Sequence, residues 1–62
     1  MTSAYRFYVI GDDYRILANE VGTFAADADA IGHGTSYLAT VAGATAVEVW
    51  ERARLVHRIE RG

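Results

Sequence analysis

Asp27-Ala28-Asp29-Ala30-Ile31-Gly32-His33-Gly34-Thr35-Ser36-Tyr37-Leu38-Ala39-Thr40-Val41-Ala42-Gly43 is the stretch whose reading decides the fold. Ala28, Ile31, Gly34, Thr35, Leu38, Val41 and Ala42 recur at spacings of three and four, which is one stripe of a helix facing a sheet. Asp29, His33, Ser36 and Thr40 then fall on the wet side. Asp27 or Asp29 is placed to cap the first turn, and Gly43 to stop the last. The two interior glycines oppose a helix by about 1 kcal/mol each.

Outward from that helix, both flanks read as strands. Tyr5-Arg6-Phe7-Tyr8-Val9-Ile10 is aromatic and β-branched, with Tyr5, Phe7 and Val9 on one face and Arg6, Tyr8 and Ile10 on the other. Gly11-Asp12-Asp13 is a turn, Tyr14 to Val21 a second strand, and Gly22 its end. After the helix come Val47-Glu48-Val49-Trp50 and Leu55-Val56-His57-Arg58-Ile59, joined by a turn over 51–54. The favoured register sets Glu48 opposite Arg58 and Trp50 opposite Val56, with Val47, Val49, His57 and Ile59 toward the helix. A one-residue slip would pair Trp50 with Leu55 and drive Arg58 inward, at a cost.

The expected architecture is therefore a single α+β domain over residues 1–62, of ββαββ order. Its four-stranded antiparallel sheet takes the order 2-1-3-4 and carries one helix on one face. Such an arrangement leaves the other face bare. Tyr8, Ile10, Trp50, Val56 and Arg58 are the candidate interface there, with Tyr37 as a further aromatic on the helix.

Composition narrows the function. At 62 residues the chain buries only about 60% of the surface it exposes when unfolded, so a partner surface would add useful burial. There is no cysteine to supply a disulfide or thiolate ligand. No apolar run approaches the ~18 residues of a membrane span, and no charged leader precedes one, so the expected address is cytoplasmic. The net charge is −2, with every basic residue an arginine. Residues 1–45 set Arg6 and Arg15 against Asp12, Asp13, Glu20, Asp27 and Asp29. Residues 46–62 set Arg52, Arg54, Arg58 and Arg61 against Glu48, Glu51 and Glu60. That balance lacks the basic footprint of a nucleic-acid binder.

Several motifs invite a chemical reading that their surroundings do not sustain. Gly32-His33-Gly34-Thr35-Ser36 resembles the histidine motif of subtilisin-type serine proteases, whose histidine is a general base. The chain lacks that family's serine and aspartate settings, and Ser3 and Ser36 are its only serines. Asp29 and His33 share a helix face at a spacing of four, yet a metal needs a further ligand, and the only other imidazole, His57, lies on a strand. Asp12 and Asp13 are adjacent, so their side chains diverge as turn-formers instead of converging as an acid–base pair. Gly32-x-Gly34 lacks the third glycine and the preceding strand of a dinucleotide fingerprint. The expectation is no catalytic residue, no cofactor, no metal and no small-molecule substrate.

Two resemblances bear on role. Tyr5-Arg6-Phe7-Tyr8, Gly11-Asp12-Asp13, Glu20-Val21-Gly22 and the hairpin from Ala46-Val47-Glu48-Val49-Trp50 to Arg54-Leu55-Val56 carry the first. With the alanine-rich helix they make a chain that resembles the short uncharacterised bacterial ββαββ proteins grouped as a domain of unknown function. Gly32-His33-Gly34 departs from the alanine and charged residues of that pattern. In architecture alone, the chain also resembles the partial double-stranded-RNA-binding-like domain of antitoxins in toxin–antitoxin pairs. The first expectation is a protein-interaction module, a homodimer or an adaptor for another protein. The alternative is an antitoxin-type regulator that meets a toxin or nucleic acid through the arginines of the last hairpin.

Overall fold

A computed structural model describes residues 1–61. Its elements are β1 (Ser3–Ile10), a single 3-10 turn (Asp12–Tyr14), β2 (Ile16–Phe24), α1 (Asp27–Thr40), β3 (Ala46–Glu51) and β4 (Arg54–Glu60). The sheet runs β2-β1-β3-β4 with every neighbouring pair antiparallel, the order read from the sequence.

Alternation along β1 makes the core. Tyr5, Phe7 and Val9 are buried and meet Val47 and Val49 of β3, while Ala30 and Leu38 of α1 close over them. Helix and sheet approach closely at Gly34, where an added Cβ would lie 3.0 Å from Val49 Cγ2 and 3.5 Å from Phe7 Cδ2.

The helix is turned from its expected phase. Ala30, Gly34 and Leu38 face the sheet, flanked by half-buried Asp27, Ile31, His33, Tyr37 and Val41, whereas Ala28, Thr35 and Ala42 are exposed. His33 thus leaves the wet side for a position against the rings of Phe7 (5.0 Å between centroids) and Phe24 (5.2 Å). Neither acidic residue caps the helix. Ala26 is the N-cap, without a side-chain hydrogen bond, and Asp27 turns toward the sheet. Val41 ends the helix and Gly43, at φ +80°, makes the turn beyond it.

Gly22 does not end β2 but sits within it, opposite Tyr5. An added Cβ there would lie 2.9 Å from the ring of Phe24, which folds across the glycine to reach Tyr5 and Phe7. The second strand begins at Ile16 instead of Tyr14, because Asp13 and Tyr14 both take left-handed backbone angles, φ 61° and 57°.

The closing hairpin joins the two registers weighed above. Glu48 pairs with Arg58 and Val49 with His57, but Trp50 pairs with Leu55. A bulge absorbs the extra residue, Val56, which packs against the core. His57, expected toward the helix, is exposed. Arg58 therefore stays outward although Trp50 meets Leu55.

Candidate interaction face

The strand register arranges the uncovered face into three rows across the sheet. Val21, Arg6, Trp50 and Leu55 form the first. Asn19, Tyr8, Glu48 and Arg58 form the second. Ile16, Ile10, Ala46 and Glu60 form the third. Two-residue steps put neighbouring rows about 7 Å apart. The outer rows are largely apolar and the middle row polar.

The two charged residues of the middle row are paired with each other. Arg58 donates to Glu48 at 2.9 Å and to Glu60 at 3.3 Å, and the Trp50 indole N–H donates to Glu48 at 3.2 Å. The carboxylates of Glu60 and Glu48 hold the Arg58 guanidinium above its ordinary pKa. Its plane also lies 5.7 Å from the centre of the Tyr14 ring. Tyr14 and Ile16 in turn line a shallow hollow with Tyr8, Ile10 and Glu48.

Four of the five expected interface residues share this face. Tyr8, Trp50 and Arg58 are half-buried. Ile10 is buried, and with Tyr14 and Ile16 beside it the neighbours, not Ile10, carry the exposed surface. Val56 is a correction, since its place in the bulge sends it to the core. The face gains residues that pattern reading passed over: Tyr14 (77% exposed), Ile16 (56%), Val21 (54%) and Leu55 (46%). Alternation signalled Val21 in the sequence, but Leu55 depends on the bulge and Tyr14 on its left-handed turn.

Polar groups on the covered side serve the packing of helix on sheet. His33 Nε2 donates to Glu20 at 2.6 Å, so the partner of this ring is a carboxylate of β2 and not a serine. Asp27 accepts from the Tyr5 hydroxyl at 2.7 Å and from both terminal nitrogens of Arg54, and Arg54 also pairs with Glu51. Among the described residues no group of three or more histidine or acidic side chains is placed to hold a metal ion. No helix among them is long and apolar enough to cross a membrane.

The chain matches no family model, no curated protein and no solved structure.

Proposed function

We propose that this chain is a non-catalytic protein-interaction module that self-associates through its uncovered sheet face. One observation carries the reading. Tyr14, Ile16, Val21 and Leu55 stand exposed on a single face, around half-buried Tyr8 and Trp50. Apolar residues scattered singly need no explanation, whereas a grouped set on an unpartnered sheet face marks a contact surface. Burial of each such side chain contributes about 1.5–3 kcal/mol before the costs of association are subtracted. A symmetric dimer uses every residue twice, so one patch supplies both halves of the interface.

The antitoxin-type alternative needs a free basic surface on the last hairpin. Arg54 and Arg58 are engaged by Asp27, Glu51, Glu48 and Glu60, and Arg61 donates to the carbonyls of Ala44 and Leu38, which leaves Arg52 as the one arginine of that hairpin outside such pairings among the described residues. These pairings favour the interaction module. The resemblance to bacterial ββαββ proteins of unknown function is compatible with that role and adds no residue to it.

Trp50 is the single tryptophan and lies on the face, so its emission reports the contact. Raising the protein from low to high micromolar concentration should shift its emission to the blue, and Val21→Asp should suppress the shift. An emission maximum independent of concentration would refute the reading.

A further inference from the structure

The uncovered face carries opposite charges at its two ends, and the geometry points to one mutual orientation of two copies: face to face with their strands antiparallel, the acidic turn of each seated on the arginine-flanked end of the other. This inference rests on the self-association proposed above and specifies its geometry.

At one end, Arg6 and Arg52 flank Trp50, and with Tyr8 and Val21 they line a surface cavity of about 260 Å³. At the other end, Asp12 and Asp13 project from the 3-10 turn beside Tyr14, the most exposed aromatic of the chain. None of these four charged residues takes part in an ion pair among the described residues, in contrast to Arg54 and Arg58. Both ends also hold backbone strain. Arg52 lies at φ 56°, and Asp13 and Tyr14 at φ 61° and 57°, a region non-glycine residues seldom occupy.

Symmetry links the two ends. Two sheets packed face to face are related by a two-fold axis lying between them, and that axis runs either along the strands or across them. An axis along the strands would set Arg6 and Arg52 on their own copies, a like-charge contact. An axis across the strands, above the Tyr8–Glu48 pair, sets the first row of one copy on the third row of the other, and in the middle row sets the neutral Glu48–Arg58 ion pair of one copy on that of the other. Arg52 and Asp12 each lie four residues along the chain from that pair, in opposite directions along the sheet, so the rotation brings the acidic end of one copy to the Arg52 end of the other. Val21 then meets the exposed side chain of Ile16 of the second copy. The ring of Tyr14 enters the cavity bounded by Trp50 and the two arginines, where guanidinium and aromatic groups suit it. Nearly aligned packing of this kind is the usual geometry for stacked sheets.

The test is charge reversal with complementation. One variant carries Arg6→Glu and Arg52→Glu, the other Asp12→Arg and Asp13→Arg, and all four positions are exposed. Alone, each variant places like charges at both ends of its own dimer, so its dimer dissociation constant should rise about tenfold or more. Mixed in equal amounts, they restore both oppositely charged contacts, and a heterodimer of near wild-type affinity should form. Sedimentation with one variant fluorescently labelled reads this directly. If both variants dimerise as wild type does, or weaken without recovery on mixing, the orientation is wrong while the interaction module stands. If wild type is itself monomeric, both proposals fall together.

Discussion

The phenol of Tyr5, on the central strand, donates to Asp27 Oδ1 at 2.7 Å and so fastens the first turn of α1 to the sheet. Arg54 grips the same carboxylate from the last hairpin, at 3.1 and 3.2 Å, so a single aspartate joins β1, α1 and β4. The acidic residue that reads as a helix cap in the sequence acts instead as a tie between elements.

That tie sets a pH dependence. Hydrogen bonds from Arg54 and Tyr5 hold the Asp27 carboxyl below its ordinary value, and those from Arg54 and Ser3 do the same for Glu51. Lowered folded-state values mean stability that is present above the unfolded pKa and is lost as pH falls through the folded one. The melting temperature should therefore drop below about pH 4. Asp27→Asn should flatten this acid limb in melts followed by circular dichroism, and superimposable limbs for the two proteins would contradict the assignment.

At high pH the sign reverses. The hydrogen bond to Asp27, with burial second, pushes the Tyr5 hydroxyl up to about 12. A raised folded-state value contributes stability that is fully present below the unfolded pKa of 10 and is lost as pH rises through 12. Alkaline melts should show that loss in wild type and much less of it in Tyr5→Phe.

The two helix glycines should respond oppositely to alanine. A Cβ at Gly32 meets nothing within 4 Å, so Gly32→Ala should stabilise by about 0.5–1 kcal/mol through helix propensity and a less disordered unfolded chain. At Gly34 the Cβ would lie 3.0 Å from Val49, which is fully buried and would have to shift to admit it. Gly34→Ala should destabilise by about 1–3 kcal/mol. Urea unfolding of both variants decides it, and equal stabilisation would mean that the helix faces the sheet differently.

Arg52 stands at φ 56° in the two-residue turn between β3 and β4, where glycine is at ease. Arg52→Gly should raise stability by about 1 kcal/mol in urea unfolding at low protein concentration, by relieving backbone strain. The same substitution should weaken self-association, since it removes half of the arginine pair at the cavity. A loss of stability in the isolated chain would show that the turn is not strained.

The fold was legible because its signals are local. Alternation in Tyr5, Phe7 and Val9 and in Val47 and Val49 names the core face of the central strands, and a helix between two hairpins leaves few strand orders open. What escaped depends on partners distant in sequence. The helix phase follows from Phe7, Phe24 and Glu20, which draw His33 inward from other elements; an alanine-rich helix has too little polarity contrast to announce it. Gly22 reads as a strand end because the ring that needs its missing side chain belongs to Phe24. The bare face was legible as a face, but its membership was not. The bulge that swaps Val56 for Leu55, and the left-handed turn that raises Tyr14, leave no period in the sequence.

The most direct test of self-association through the uncovered face is light scattering after size exclusion, at micromolar concentration, for wild type and Trp50→Glu. Wild type should elute at about twice the 6.8 kDa mass of the chain, and Trp50→Glu as a folded species of single mass. A wild-type monomer, or a dimer that survives Trp50→Glu undiminished, would contradict the account.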